Sequence, residues 1–179
     1  PEDEAESDCD DQAVQRVAKV LDSAQRPLIW AGGGVVRSGG FAALARLAER
    51  LDAPVFSTVL GKGALPADHR LSAGEGLLHP AASDMRADCD VMLAVGTGFG
   101  QLETVSWRLP MPPVLIQVDV DPAMIGLNYP VQDSIVGDAG TVLEALSRAV
   151  SERKPSRTDE VAAMRSELRR LSIERCGHV

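Results

Sequence analysis

Aromatic residues, cysteines and histidines are scarce in this 179-residue sequence. Only 3% of the residues are aromatic although 45% are hydrophobic, so we expect a core of aliphatic side chains. Few rings also means few platforms on which nucleic-acid bases could stack. The three cysteines, Cys9, Cys89 and Cys176, include no closely spaced pair of the zinc or redox type, and they favour a reduced, cytoplasmic setting.

Positively charged residues are also outnumbered by negatively charged ones. Lysine and arginine total 18 against 26 acidic residues, which gives a net charge of −8. Such a chain repels phosphate backbones and anionic membrane surfaces, so we expect neither nucleic acid nor membrane as a partner. No apolar run approaches the roughly 20 residues of a membrane helix. The acidic segment 1–11 lacks the basic and apolar regions of a signal peptide.

The sequence also contains no recognisable catalytic set. His69, His79 and His178 have neither the spacing nor the neighbouring ligands of a metal site. Ser57 and Cys89 lie within or beside predicted strands without an identifiable base, so we assign structural roles to both. We therefore predict no catalytic and no metal-binding residues in this chain.

Short apolar runs alternate with amphipathic helical patterns. The apolar runs predict strands at 27–31, 54–58, 90–95, 113–118 and 134–137. Helical spacing predicts helices at 14–21, 41–51, 80–85, 142–150 and 161–171. The third and fourth strands show no period-two alternation, which is typical of strands buried on both faces. This order favours an α/β fold, a Rossmann-like doubly wound, mainly parallel sheet with helices on both faces.

The same pattern divides the chain into three parts. Residues 1–25 form a lead-in segment and helix, with Asp10 or Asp11 as the N-cap. Residues 26–150 form a central domain of a nucleotide-binding type. Residues 151–179 combine a charged linker with the start of a helix. Because the apolar face of this helix has no evident partner in the central part, we expect it to lead to a C-terminal domain missing from this chain.

Glycines and carboxylates follow the predicted strands. They stand at 32–34, 58–61, 96–98, 119–121 and 137–138. In a doubly wound sheet, ligands bind beyond the carboxyl ends of the strands. Glycines let backbone amides approach a phosphate there, and a strand-terminal carboxylate accepts hydrogen bonds from ribose hydroxyls. The combination predicts an adenine nucleotide at this edge.

Each of these features also has a structural interpretation. The triple glycine lacks the spacing of the dinucleotide fingerprint and equally fits a tight turn. Asp119 also fits a cap of the turn that begins at Pro122, and Asp138 fits a helix cap. His79, which precedes Pro80, also fits a residue that closes a loop.

Several motifs, in the same order, resemble the central domain of thiamine-diphosphate-dependent enzymes of the acetolactate synthase kind. Residues 27–34 resemble its opening strand and glycine turn, and residues 60–69 are similar to its Gly-x-Gly-x-x-Pro-x-x-His segment. Residues 74–79 resemble the glycine and histidine loop that follows. The most specific matches are 118–126, with its Asp-x-Asp-Pro and Ile-Gly, and 136–139, with its Gly-Asp-Ala. The resemblance covers about residues 26–150.

This resemblance implies a nucleotide-holding role. In flavin-containing members the domain holds FAD in a structural or regulatory role, whereas other members hold ADP or nothing. Carried over position by position, the resemblance places these residues near such a nucleotide: Gly33, Gly34, Thr58, Gly61, Gly74, His79, Gly96, Thr97, Asp119, Val120 and Asp138. Flavin-binding relatives commonly have an arginine in place of Gly98, and acetolactate synthases often have an acidic residue in place of Gly100. Because of these departures, ADP or an empty cleft stays open as an alternative to FAD.

The family's chemistry requires parts that this chain lacks. Thiamine diphosphate and Mg²⁺ are held in another domain by a Gly-Asp-Gly followed by paired asparagines, and a third domain supplies a glutamate. The nearest match here is at 137–139, and Asn128 is the sole asparagine. The resemblance therefore implies a scaffold domain, without catalysis of its own, in a parent 2-oxo-acid decarboxylase or carboligase. Its partners would be the missing pyrimidine- and diphosphate-binding domains, in a homo-oligomer.

Two alternatives stay open at this point. A stand-alone nucleotide-binding module of the sirtuin, deoxyhypusine synthase or electron-transfer flavoprotein type would need a complete active site within 179 residues, and none is recognisable. A pure interaction domain would have the same fold with an empty cleft.

Overall fold

The computed structural model describes residues 10–176, so predictions that fall on residues 1–9 and 177–179, including Cys9 and His178, lie outside it. The helices are α1 (Asp11–Ser23), α2 (Gly33–Arg37), α3 (Phe41–Leu51), α4 (Ser83–Ala87), α5 (Ala139–Ala149) and α6 (Thr158–Cys176). The strands are β1 (Pro27–Ala31), β2 (Val55–Ser57), β3 (Ser72–Gly74), β4 (Val91–Val95), β5 (Val114–Asp119) and β6 (Asp133–Val136). Short 3₁₀ turns lie at Gly76–Leu78, Pro80–Ala82 and Pro122–Met124.

The six strands form one sheet in the order β3-β2-β1-β4-β5-β6. Every pairing is parallel. This is the strand order of the doubly wound dinucleotide-binding fold, in which the order in which strands are added reverses between β1 and β4. Those two strands pair along their whole length, from Pro27 opposite Val91 to Ala31 opposite Val95. The predicted fold class is confirmed.

One side of the sheet, the aliphatic face, is covered by the regular helices α1, α3 and α5. Because alternate residues of a strand point to opposite sides, Ile29, Leu93 and Ile116 all lie on this face. Helical residues predicted from apolar spacing meet them, and Leu47 of α3 and Leu143 of α5 are completely buried. This face has the ring-free core that the composition indicates.

The other side, the aromatic face, has a different composition. Trp30, Phe56 and Met92 alternate with the aliphatic residues along the same strands and are buried beneath 3₁₀ turns, α4 and α6. The ring centroids of Phe99 lie 5.7 Å from Trp30 and 5.4 Å from Tyr129, at tilted and edge-on angles. The expectation of a core without rings is therefore wrong for this half of the molecule, because four of the six aromatic residues gather here.

Three local features differ from the sequence-based expectations. The triple glycine does not end in a turn but enters α2 at Gly33. Strand β3 lies between the predicted strand at 54–58 and the predicted helix at 80–85, where no strand was expected, and its three residues carry no apolar run. The helix expected at 80–85 is a 3₁₀ turn that continues into α4.

The segment before α6 is fixed to the domain through Asp52. This buried carboxylate, at the left-handed end of α3, accepts hydrogen bonds from the backbone amides of Ser156 (2.6 Å) and Arg157 (3.0 Å), from the Ser156 hydroxyl (2.9 Å) and from Arg70 (3.0 Å). Arg157 is itself buried and donates to the carbonyl oxygen of Pro27 at 2.7 Å.

Helix α6 does have a partner in the preceding part. Its residues Val161 and Met164 are buried in the aromatic face, and Leu168 lies against the loop at Gly76. That the helix leads to a further domain stays a prediction. Neither α6 nor any other helix within residues 10–176 is long and apolar enough to cross a membrane.

Candidate functional site

The loops after β1 and β4 meet at the carboxyl edge, where the strand order reverses. Folds of this kind bind ligands at that point. A pocket of about 130 Å³ lies there, which we call the switch-point pocket. It is lined by Gly34, Arg37, Ser38, Gly96, Asp119, Val120, Asp138 and Ala139. It thus brings together five of the predicted residues: Gly34, Gly96, Asp119, Val120 and Asp138.

Close backbone packing accounts for several glycines at this edge. A β-carbon on Gly34 would lie 2.5 Å from the α-carbon of Gly96, and one on Gly61 would lie 2.1 Å from the carbonyl oxygen of Ala31. Gly96 also has a φ of +60°, which disfavours other residues. These glycines are required for the loops to meet, with or without a ligand, so they give no evidence for a ligand. The evidence for a ligand must come from the side chains that line the pocket.

The two carboxylates of the pocket both have structural roles. Oδ1 of Asp119 accepts the amide of Asp121 at 3.1 Å. Oδ1 of Asp138 caps α5 by accepting the amide and the hydroxyl of Thr141 at 3.0 and 3.2 Å. The cap interpretation of Asp138 is therefore confirmed. The cap of the turn that begins at Pro122 is instead Asp121, which accepts the amide of Ala123 at 2.9 Å, so the corresponding interpretation of Asp119 is wrong. The hydrogen bonds found within residues 10–176 engage only Oδ1 of each carboxylate, and Oδ2 is available to a sugar hydroxyl.

Arg37 brings positive charge to the switch-point pocket. Its Nη1 lies 3.2 Å from the position that a β-carbon on Gly33 would take, so the guanidinium extends back along α2. Arg37 was not among the predicted residues. It could have been found from its spacing, because a residue four positions after Gly33 lies on the same side of a helical turn.

A second cavity, of about 150 Å³, lies beyond β1 and β2, and we call it the acidic cavity. Its walls are Trp30, Ser57, Thr58, Val59, Glu75, Leu77, Leu78, Leu102 and Glu103. Thr58 is the predicted residue found here, and its hydroxyl oxygen accepts the amide of Gly61 at 3.0 Å. Glu103 accepts the amide of Val59 at 3.1 Å, and Glu75 pairs with Lys62 at 3.1 Å. None of the residues that line this cavity carries a positive charge.

The predicted residues Gly74 and His79 line a third and larger cavity, of about 700 Å³, between β3 and α6. Nδ1 of His79 accepts the amide of Ala81 at 3.2 Å and so begins the 3₁₀ turn at Pro80–Ala82. The loop-closing role considered for His79 is thus present. Gly33, Gly61 and Thr97 lie in the walls of none of these three cavities, and the Thr97 hydroxyl oxygen accepts the amide of Phe99 at 3.3 Å.

A buried amide side chain holds the loops after β4 and β5 together. Gln117 donates to the carbonyl oxygens of Thr97 (3.4 Å), after β4, and Met124 (3.0 Å), after β5, and it accepts the amide of Gly126 at 2.9 Å. Asn128 donates to the carbonyl oxygen of Gly98 at 2.7 Å. The sequence-based prediction did not include Gln117, and the signal was a single polar residue within the apolar run of β5.

The structure also bears on nucleophilic and metal chemistry. Burial raises the pKa of the Cys89 thiol to about 12, so it stays protonated and unreactive at neutral pH. Between residues 10 and 176, no three histidine, cysteine, aspartate or glutamate side chains are placed to hold a metal ion.

Comparison with known proteins agrees with the fold and the motifs. Residues 14–146 match the family described as thiamine pyrophosphate enzyme, central domain. A probable 2-ketoarginine decarboxylase of Pseudomonas aeruginosa is 41% identical over 161 residues, which are 88% of this chain and 28% of that protein. A probable acetolactate synthase large subunit of Methanocaldococcus jannaschii is 38% identical over 163 residues, or 89% of this chain and 28% of that protein.

A solved structure gives the same result. The X-ray structure of an enzyme from Mycobacterium smegmatis, described as thiamin diphosphate-dependent, matches with a TM-score of 0.64 at 28% identity over 82% of this chain and 29% of that one. This chain therefore spans little more than a quarter of the length of these relatives. The matches give no support to a sirtuin-like or electron-transfer-flavoprotein-like module. Since the family match covers most of the chain, including all six strands, the protein belongs to the family of thiamine pyrophosphate enzyme central domains.

Proposed function

We propose that this chain is the central domain of a thiamine-diphosphate-dependent 2-oxo-acid decarboxylase or carboligase, and that it holds an adenine nucleotide in the switch-point pocket. The names of the relatives, a decarboxylase and an acetolactate synthase, support the first part. The observation that carries the second part is the pocket itself, in which Arg37 and two strand-end carboxylates meet where the sheet reverses.

The residues present do not fit thiamine diphosphate or its Mg²⁺. Asp138 is followed by Ala139 rather than glycine, and its Oδ1 caps α5. The amide of Asn128 is used to bind the Gly98 carbonyl oxygen. We therefore assign the chemistry, with its thiamine diphosphate and magnesium, to other domains of the parent chain.

Charges in the switch-point pocket favour a nucleotide over a simple anion. The amides of Gly34 and Gly96 already donate to the carbonyl oxygens of Gly96 (2.9 Å) and Val118 (2.8 Å), so they are not free for a phosphate. Arg37 would bind the phosphate, and Asp119 would accept the ribose hydroxyls. Ligand pockets usually measure about 300–1,000 Å³, so a pocket of about 130 Å³ would enclose only the sugar and phosphate.

Apolar side chains on the carboxyl-edge loops fit a domain that contacts others. Val59, Leu60, Leu102 and Leu127 are between 63% and 90% exposed. Exposed apolar patches of this kind mark interaction surfaces. The partners we propose are the pyrimidine- and diphosphate-binding domains of the parent chain, within a homo-oligomer.

The nucleotide role is tested on the purified chain. Any bound nucleotide is released and identified by mass spectrometry, and ADP is titrated by calorimetry. We expect ADP to bind and Asp119→Ala to weaken binding about tenfold or more, because a hydrogen bond to a charged group contributes about 1.5–3 kcal/mol. Asp121→Ala is the matched control, since Asp121 caps the next 3₁₀ turn through the amide of Ala123 and does not line the pocket. Absence of both bound nucleotide and ADP binding would reduce this domain to a role in spacing and assembly.

The parental activity is tested separately, on the full-length parent protein. With thiamine diphosphate and Mg²⁺ added, we expect carbon dioxide release from 2-oxo acids. A parent that binds thiamine diphosphate but releases no carbon dioxide from any 2-oxo acid would contradict this part of the proposal.

A further inference from the structure

The two halves of the carboxyl edge differ in what they could bind. A dinucleotide on a doubly wound sheet occupies both halves, one on each side of the reversal point. The switch-point pocket, with Arg37 and Oδ2 of each carboxylate, extends from the reversal point toward β6. On the β1–β3 side lies the acidic cavity. The second half of any dinucleotide would have to enter that cavity.

Glu103 closes the acidic cavity by joining two loops. It belongs to the loop after β4, yet its Oε1 accepts the amide of Val59, in the loop after β2, at 3.1 Å. Its other oxygen, Oε2, lies 3.5 Å from the position that a β-carbon on Gly100 would take. The space that remains is about 150 Å³.

The chemistry of this cavity also opposes a flavin. The isoalloxazine ring presents mainly hydrogen-bond acceptors, its two carbonyl oxygens and two ring nitrogens, and so requires donors. Glu103 and Glu75 are acceptors when ionised. Lys62 neutralises Glu75 but no comparable cation lies against Glu103 in the cavity wall. The amide of Val59, a backbone donor at this wall, is already used by Glu103.

We propose that Glu103 restricts the cleft to mononucleotides such as ADP and excludes the flavin half of FAD. This inference depends on the proposed nucleotide role. Removal of Glu103 would free the amide of Val59 and enlarge the cavity, which Trp30 already lines. The wall would then lose an acceptor and gain the Val59 amide as a donor, which is what an isoalloxazine ring requires.

The test compares ADP, titrated by calorimetry, with FAD, titrated by flavin fluorescence. For the unchanged chain we expect a Kd for FAD at least tenfold above that for ADP. In Glu103→Ala, the Kd for FAD should fall at least tenfold while that for ADP stays within twofold. Glu103→Gln, which removes the charge and keeps an acceptor for the Val59 amide, should give a smaller gain. It also carries the test if Glu103→Ala does not fold, as judged by circular dichroism.

The control is Glu75→Gln, which alters the other carboxylate of the cavity and should leave the ratio of the two Kd values within twofold. Equal affinity of the unchanged chain for FAD and ADP would overturn the inference. So would an unchanged ratio in a folded Glu103 variant, and in both cases the proposed nucleotide role would survive. If neither ADP nor FAD binds the unchanged chain or the folded variants, the nucleotide role fails, and the inference fails with it.

Discussion

The aliphatic and aromatic faces of the sheet are buried to a similar depth but are covered in different ways. Three regular helices cover the aliphatic face, and their repeating stripes meet Val, Ile and Leu side chains. The aromatic face is covered by 3₁₀ turns, the short α4 and one long helix, α6. Irregular elements leave gaps of uneven size, and large or flexible side chains such as Trp30, Phe56 and Met92 fill them. The difference shows that one sheet can have a core of regularly repeating aliphatic contacts on one face and a core of individually placed large side chains on the other.

The helices that cover the two faces also differ in how they are attached to the rest of the domain. Helices α3 and α5 lie against each other as well as against the sheet. Helix α6 is instead attached by a small apolar contact, by polar contacts of Arg157 and Glu160, and by the hydrogen bonds that Asp52 accepts from the segment before the helix. We therefore expect the aliphatic face to dominate global stability and the aromatic face to open locally.

The largest effect is expected from truncation within the aliphatic face. Leu47→Ala removes a completely buried side chain from α3 and should lower the free energy of unfolding by about 3–4 kcal/mol. Met164→Ala, at a 5% exposed position on α6, should cost about 2 kcal/mol because the helix can shift to close the space. Urea unfolding followed by circular dichroism measures both. A greater loss for Met164→Ala would reverse the ranking of the two faces.

Asp52→Ala should weaken the attachment of α6 to the aromatic face. The variant leaves Arg70 and two backbone amides without their acceptor, and we expect a loss of about 3 kcal/mol. Hydrogen exchange should quicken in residues 157–168 and change little in α3 and α5. The control is Asp22→Ala, because exposed Asp22 accepts hydrogen bonds from Ser151 in the same segment and should contribute less than about 1 kcal/mol. Equal acceleration across the whole chain would mean that α6 does not open separately.

Acid should weaken the same attachment. Burial alone would raise the pKa of Asp52, but hydrogen bonds from Ser156, Arg70 and Arg157 outweigh it, so the pKa lies below its ordinary value. A carboxylate with a lowered folded-state pKa stabilises the fold above its unfolded pKa, near 3.9. This contribution is lost as the pH falls below about 4 and through the folded pKa. The stability difference between the unchanged chain and Asp52→Asn should thus be constant from pH 5 to 7 and shrink below pH 4, as urea unfolding would show. A difference that grows on acidification would contradict this assignment.

The aliphatic face could be predicted from the sequence, and the aromatic face could not. Apolar spacing located α1, α3 and α5, and uninterrupted apolar runs located β1, β4 and β5, because a repeating environment leaves a repeating pattern. Strand β3 has the sequence Ser-Ala-Gly and forms because it lies beside β2, which is a long-range effect without a local signal. The partner of α6 was missed for a similar reason, since Val161 and Met164 meet single residues from several distant segments.

The candidate site divides in the same manner. Gly34, Gly96, Asp119 and Asp138 follow directly on strands, and parallel strands end at one edge, so their proximity could be predicted. Arg37 reaches the edge from the end of α2, and Glu103 reaches it from the loop after β4. Glu103 lies 44 residues from the amide that it binds, and no spacing rule relates the two positions. Whether the predicted residues hold a nucleotide stays a prediction.

The smallest effect is expected from Trp30→Phe, which tests how closely the aromatic face is fitted. The smaller ring should cost less than about 1.5 kcal/mol in lost contacts. The variant also removes an indole N–H that is buried without a partner among residues 10–176, and leaving such a donor unpaired costs about 1–3 kcal/mol. The two effects oppose each other, so the free energy of unfolding should change by less than about 1 kcal/mol.

The comparison variant is Phe56→Leu, which removes a ring without a polar atom. It should lose more stability, because nothing offsets its lost contacts. Urea unfolding compares the two variants. A loss for Trp30→Phe as large as that for Leu47→Ala would mean that Nε1 has a bound partner in solution, and that the aromatic face is stabilised by a hydrogen bond as well as by packing.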